Sequence, residues 1–300
     1  MRVHFHDDYV VDLPAGHAFP MRKFVHLRDI LLRERLVRPE EVVAPPEASW
    51  ELLRLAHSEG YLSKLRDGTL DPGEVRRLGL PWSPALVRRS RRATMGTLMA
   101  AHAALEDGIA ANLAGGTHHA CHDHGEGYCV INDVVVAIRS LAAEGAAHRV
   151  LVVDLDVHHG NGNAELLARD PGAFTFSMHG ERNYPLRKPP SDLDVGLPDG
   201  TGDDAYLAAL EMHLPIAFER SRPELVFYLA GVDVVAGDRF GRLALTRAGL
   251  ARRDRYVLEQ VRAHGVPVVL VLAGGYAPTP EATADLHATV HREAVALGMG

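Results

Sequence analysis

The sequence predicts an α/β fold: a central, mostly parallel sheet with helices on both faces, built by residues 1–300 as one domain. Three observations lead there. Short β-branched runs alternate along the chain with longer stretches of helical period. The runs are apolar throughout instead of at every second residue, as strands buried on both faces are. Their carboxyl ends pass directly into polar clusters, which is where ligands bind in open parallel sheets.

The expected strands are "RVHFH" (2–6), "RVLVVDLD" (149–156), "AFTFSM" (173–178), "ELVFYLAG" (224–231) and "VPVVLVLAGG" (266–275). Helical patterns fall at 94–107, 132–144, 204–220 and 246–264, the last opening on Thr246 as an N-cap whose hydroxyl can accept a backbone N–H. The basic run "RRSRRAT" (88–94) leads into the first of these helices and reads as a solvated helical face. No internal repeat, low-complexity tract or linker divides the chain.

Composition narrows the function classes. A formal charge of −7 disfavours nucleic acid and mildly favours cationic substrates. The N-terminal segment "MRVHFHDDYVVDLP" has neither a basic nor an apolar signal region, and no stretch nears the roughly 20 apolar residues of a membrane span. A cytoplasmic protein without membrane partners is the expectation. The two cysteines, Cys121 and Cys129, match neither a redox pair nor a structural zinc cluster, and read as core packing.

With 18 histidines in 300 residues, about one adjacent pair arises by chance, so the doublets His118-His119 and His158-His159 prove nothing alone. Their settings decide. "VVDLDVHHGNG" carries Asp154, Asp156 and His158 out of one apolar strand, and strand alternation sends all three to one side. Buried together, they need mutual partners or a cation. "FYLAGVDVVAGD" brings Asp233 from a second strand, and "LVLAGGY" brings Tyr276 from a third. Two carboxylates and one imidazole suit a catalytic zinc that keeps a position open. An arginase-like binuclear manganese site needs D-x-H-x-D, whereas the order here is D-x-D-x-H.

Together with "LPAGHAFPMRKF", "HSEGYLSKL" (57–65), "AGGTHHACHDHGEGYCVINDVVVAI", "SMHGERNYPLRKPPSDLDVGLPDGTGDDAYL" and "AGVDVVAGDRFGRLALT", these motifs span almost the whole chain. In order and spacing the chain resembles the histone deacetylase family of zinc-dependent deacylases, and most of all its class IV-like bacterial branch. The resemblance implies an arginase/deacetylase fold with a narrow acyl-lysine tunnel ending at one zinc ion.

Carried over residue by residue, the resemblance implies that Asp156, His158 and Asp233 hold the zinc. It makes His119 the general base that activates water and the acid that protonates the departing amine, and His118 its electrostatic partner. Asp154 orients His118, and Asn161 orients His119. Tyr276 stabilises the developing oxyanion. The Gly127 carbonyl takes the substrate amide N–H, Tyr128 and Tyr184 line the tunnel, and Gly274 and Gly275 also bind substrate. A monovalent cation, potassium in the family, is implied beside Asp154, with Ser177 and the carbonyls of Asp156, His158 and Met178. His122, Asp123 and His124 read as a polar loop at the pocket rim, and His159 and His179 as buried, hydrogen-bonded histidines. Asn161 and Tyr128 stand where many members carry Asp and Phe, so acyl preference is open.

The expected activity is hydrolysis of N6-acyl-lysine in peptides or proteins. Two alternatives are a deacylase of small acylated amines such as acetylpolyamines, which the acidic charge also suits, and an acyl-lysine binding protein without turnover. The last is disfavoured, because no catalytic position is missing.

Overall fold

A computed structural model describes residues 1–299. Its core is one eight-stranded sheet in which every strand pairing is parallel. The strands are β1 (Arg2–His4), β2 (Val42–Val43), β3 (Ile109–Asn112), β4 (Val150–Asp154), β5 (Ala173–Gly180), β6 (Leu193–Leu197), β7 (Leu225–Leu229) and β8 (Val268–Val271). They lie in the order β2-β1-β3-β8-β7-β4-β5-β6. Every residue of β3, β4, β7 and β8 is buried, so these strands are covered on both faces.

The helices are α1 (Lys23–Arg33), α2 (Trp50–Leu53), α3 (Glu59–Asp67), α4 (Pro72–Leu78), α5 (Pro84–Asp107), α6 (Asp133–Glu144), α7 (Asn161–Leu167), α8 (Asp203–Ser221), α9 (Arg247–His264) and α10 (Pro280–Ala296). Helix α5 packs on β1, β3 and β8 and against α6, whereas α8 packs on β4 and β5 and continues through α9 and α10 to α1. Thr246 caps α9 as expected, its hydroxyl accepting from the Gly249 N–H at 3.0 Å.

The five expected strands and four expected helices are all present, with differences that have physical causes. Helix α5 begins at Pro84, ten residues before the expected 94, because Ser83 caps it and Pro84 supplies a preset first turn. The basic run 88–94 therefore lies inside α5, and its reading as a solvated face is corrected. Only Arg88 is exposed. Arg89 is buried and donates to the Tyr9 carbonyl, while Arg91 and Arg92 donate to the carbonyls of Ala48 and Pro45. Strand β4 stops at Asp154, so Asp156 and His158 lie in the turn beyond it and their placement is not set by strand alternation. Cys121 and Cys129 are free and buried.

The sheet order positions the functional loops. Strands β3, β8, β7 and β4 are the four central neighbours. All run the same way, so the segments leaving their carboxyl ends meet above the middle of the sheet. Those segments carry His118 and His119 after β3, Tyr276 after β8, Asp233 after β7, and Asp156 and His158 after β4. Arg253 of α9, fully buried, ties two of these exits by donating to the carbonyls of Gly231 at 2.6 Å and Leu155 at 3.2 Å.

His57 links two distant motifs. Its Nδ1–H donates to the Cys121 carbonyl and its Nε2 accepts the Asn132 N–H, both at 2.9 Å. A ring that accepts at Nε2 must be neutral, and burial pushes its pKa down to about 4 from an ordinary 6.5. Between these values the unfolded chain binds more protons at this position, so stability is complete above pH 6.5 and is lost as pH falls toward 4. Urea titrations at stepped pH should show the wild-type unfolding free energy falling across that window, by roughly 1.4 kcal/mol per unit from this group. His57→Gln should be less stable at neutral pH and show a shallower slope. Equal slopes would exclude His57 as a source.

Candidate active site

The loop "GGTHH" is held by the start of α6. The buried Asp133 carboxylate accepts the N–H groups of Gly116 at 3.0 Å and Thr117 at 2.8 Å, and the Thr97 hydroxyl as well. This explains why the histidine pair and "IND" occur together: one supplies the side chains, the other the anchor. His118 and His119 emerge almost fully buried with ring centroids 4.1 Å apart.

Asp156, His158 and Asp233 converge below them. Their ligand-type atoms lie within 4.8 Å of one another. His158 Nδ1 is hydrogen-bonded to Asp156 Oδ1 at 3.0 Å and lies 3.2 Å from Asp233 Oδ2 without hydrogen-bond geometry, so that oxygen has no donor. Both carboxylates are inaccessible to solvent. Burial, then the neighbouring Asp156, raises the Asp233 pKa. Asp156 accepts backbone N–H groups from His158 at 2.8 Å and Gly274 at 2.5 Å, and Asp233 accepts from Val157 at 2.9 Å. A Cβ on Gly274 would stand 1.9 Å from Asp233 Oδ2, so only glycine leaves both carboxylates room. A buried pair of acids with one imidazole and an orphaned oxygen fits a divalent cation such as zinc.

Among the described residues two further groups have metal-ligand proximity, Cys121/His124/Glu126 and His159/His179/Asp194. In both, the donors already have protein partners. His124 bonds Asp123 at 2.6 Å, His159 lies 3.2 Å from Asp194, and His179 bonds Ser177 at 3.0 Å. His159 and His179 are thus buried and hydrogen-bonded, as expected. His122, Asp123 and His124 do not line the cleft.

Both histidines are held by a hydrogen bond at Nδ1. His118 Nδ1 meets Asp154 Oδ2 at 2.7 Å, and His119 Nδ1 meets Asn161 Oδ1 at 2.6 Å. Burial opposes charge on His118, yet Asp154 and Asp156 raise its pKa to about 9. Burial, then His118 and His158, push His119 well below the ordinary value, leaving it the neutral ring.

One residue behind this pair escaped the sequence reading. Glu126 Oε1 accepts from Asn161 Nδ2 at 2.5 Å. A carboxylate only accepts, so the Asn161 amide must turn its N–H₂ toward Glu126 and its oxygen toward His119. That oxygen in turn requires a proton on His119 Nδ1, which frees Nε2 as a base. Burial disfavours the Glu126 anion, but hydrogen bonds from His124, Asn161 and Tyr184 hold its pKa below the usual carboxylate range. The signal in the sequence was an acid between two glycines, in "GEGYC".

A cleft of about 440 Å³ leads from the surface to His119, His158 and Tyr276. Tyr128 and Tyr184 line it, joined by Phe240, which the sequence reading did not name. Tyr184 stands edge-on to His119 at 5.0 Å between centroids, and Phe240 packs on Tyr276 at 4.9 Å. Gly127 also lines the cleft, and a Cβ there would lie 2.6 Å from the His119 ring. Burial, then Asp233 and Asp156, hold the Tyr276 phenol protonated. Gly274 and Gly275 lie outside the cleft lining: the first serves Asp156, and the second takes a φ of +155° on the way to Tyr276. Asp154 and Ser177 are register partners at the ends of β4 and β5. A smaller inner cavity behind the histidines is bordered by two buried cations, Lys23 and Arg89.

Known proteins resemble this chain in sequence and in fold. The sequence model of the histone deacetylase domain matches residues 17–292. An uncharacterized protein of Picosynechococcus sp. is 47% identical over 97% of both chains, and histone deacetylase 2 of Arabidopsis thaliana is 31% identical over 87% of this chain and 70% of its own. The crystal structure of an HDAC homolog complexed with SAHA superposes with a TM-score of 0.80 at 26% identity, covering 97% of this chain and 83% of that one.

The Glu126 arrangement has a direct spectroscopic consequence. Imidazole nitrogen NMR should find the neutral His119 ring protonated at Nδ1 alone, and a mixture of tautomers in Glu126→Ala. A single Nδ1–H tautomer in that variant would show that Asn161 needs no help from Glu126.

Proposed function

This chain belongs to the histone deacetylase family and is a hydrolase acting on amide bonds; within that family, we propose that it removes acetyl or longer acyl groups from N6-acyl-lysine side chains of peptides or proteins. The observation that carries this reading is the opening of one buried Asp–His–Asp cluster into a cleft that also holds a neutral histidine and a protonated phenol. Asp156, His158 and Asp233 would hold one zinc ion. When bound there, zinc supplies Lewis acidity toward the acyl carbonyl and toward water.

The remaining roles belong to the protein. His119 Nε2, left free by the Asn161 contact at Nδ1, removes a proton from the attacking water as the new C–O bond forms. Tyr276 donates its hydroxyl to the acyl oxygen as negative charge develops there. His119 then returns the proton to the lysine nitrogen as the C–N bond breaks, giving a carboxylate and free lysine. His118, held by Asp154, keeps positive charge near the reacting centre. Tyr128, Tyr184 and Phe240 exclude water along the lysine stem, and the Gly127 carbonyl receives the substrate amide N–H. A potassium ion beside Asp154, with Ser177 and the carbonyls of Asp156, His158 and Met178, would stiffen the turn that carries two ligands.

Two outcomes test this reading. Metal analysis should give one zinc per chain, with Asp156→Ala losing metal and acetyl-lysine hydrolysis together; two equivalents of manganese in active protein would contradict it. Tyr276→Phe should keep its zinc while kcat falls by about 10²–10³, since one transition-state donor is removed. Near-native kcat in that variant would assign the oxyanion to another group.

A further inference from the structure

The outer half of the cleft has a charge that the whole chain does not. The sequence holds 39 acidic against 32 basic residues. The cleft is nonetheless lined by Arg76, Arg77, Arg182 and Arg242, and by no aspartate or glutamate. All four arginines are exposed. Two come from the last turn of α4 and two from the segments following β5 and β7. They therefore approach the opening from different sides. The nearest counter-charge is Asp199, 3.4 Å from Arg242 and 4.0 Å from Arg182. Arg76 and Arg77 form no ion pair among the described residues. Their place at a helix C-terminus favours basic residues there, but that alone does not account for Arg182 and Arg242 joining them around one opening.

We propose that this arginine rim recognises carboxylates flanking the acylated lysine, so that the protein acts on acyl-lysine segments with acidic neighbours and turns away polycationic amines. The inference rests on the acyl-lysine reading above. A lysine stem that reaches the floor of the cleft leaves its backbone and adjacent side chains at the mouth, where guanidinium groups can take carboxylates through paired N–H donors. An acylated polyamine would instead bring ammonium groups to the same four cations. The net charge of the chain pointed toward cationic substrates; the local charge at the opening points the other way.

The test uses zinc-loaded protein and three acetyl-lysine peptides that differ only in their flanks, two aspartates, two serines or two arginines, with N-acetylspermidine as a fourth substrate. The expected order of kcat/KM is aspartate, serine, arginine, with N-acetylspermidine last. The extremes should differ by roughly tenfold or more, carried by KM and shrinking as salt is raised. The double variants Arg76→Gln/Arg77→Gln and Arg182→Gln/Arg242→Gln should flatten the order, and the corresponding Glu variants should reverse it. A serine peptide used as well as the aspartate peptide, or N-acetylspermidine used best, overturns the proposal. Peptide binding to Tyr276→Phe protein, read by fluorescence anisotropy, separates the two claims. If no peptide is hydrolysed, the deacylase reading fails, and the binding order alone then supports or overturns the rim.

Discussion

Two carboxylates buried side by side, Asp156 and Asp233, set the terms for the rest of the structure. Unpaired charge in a protein interior is costly, and two like charges raise that cost. The fold meets it with backbone donors from Val157, His158 and Gly274 and with the imidazole of His158. Lys23 is buried on the same side, and its pKa falls to about 8 through burial despite the pull of both acids. One oxygen, on Asp233, still has no donor. That oxygen is where a divalent cation such as zinc would add positive charge.

The same constraint accounts for the architecture around the site. Parallel strands send their carboxyl ends to one edge, and the central order β3-β8-β7-β4 makes Asp156, His158, Asp233, His119 and Tyr276 neighbours although they lie far apart in sequence. Each loop is then locked by a polar contact of its own, buried for Asp133 with the histidine pair and for Arg253 with the exits of β4 and β7, and part-buried for Asp238 with the backbone of Tyr276. A Glu126–Asn161–His119 series of hydrogen bonds fixes the tautomer of His119 in the same way. The acceptor beside His119 is the neutral amide of Asn161, with the anion of Glu126 one hydrogen bond further out.

Much of this was legible in the sequence, for definite reasons. Runs such as "LVVDLD" and "LVFYLAG" read as buried strands, and three polar residues leaving one such strand together need mutual partners or a cation, whereas a single strand-end Asp is as often a helix cap. Strand β3, "IAAN", was missed because alanine carries little strand signal, and β6, "LDVGL", because it is a half-exposed edge. Helix α10 was missed because His287, His291 and Thr283 occupy positions on its buried face. Glu126 and the four arginines look like ordinary surface charges in sequence. Only folding shows that Glu126 stands behind Asn161 and His119 and that the arginines surround a single opening. The run 88–94 misled in the opposite sense, since Arg89 spends its charge on a buried carbonyl.

The central claim, that a buried acid pair with one oxygen left without a donor creates the demand for metal, is tested most directly by the thermal stability of Asp233→Asn with and without zinc. Asparagine preserves the acceptor for the Val157 N–H and replaces the orphaned oxygen with a donor facing the remaining acid. Stripped of metal, the variant should melt above stripped wild-type protein, by roughly 2–4 °C for each kcal/mol of repulsion relieved. Zinc should raise the melting temperature of wild-type protein and leave the variant unchanged. A stripped variant that melts at or below wild type, or an equal zinc-induced rise in both, would contradict the account.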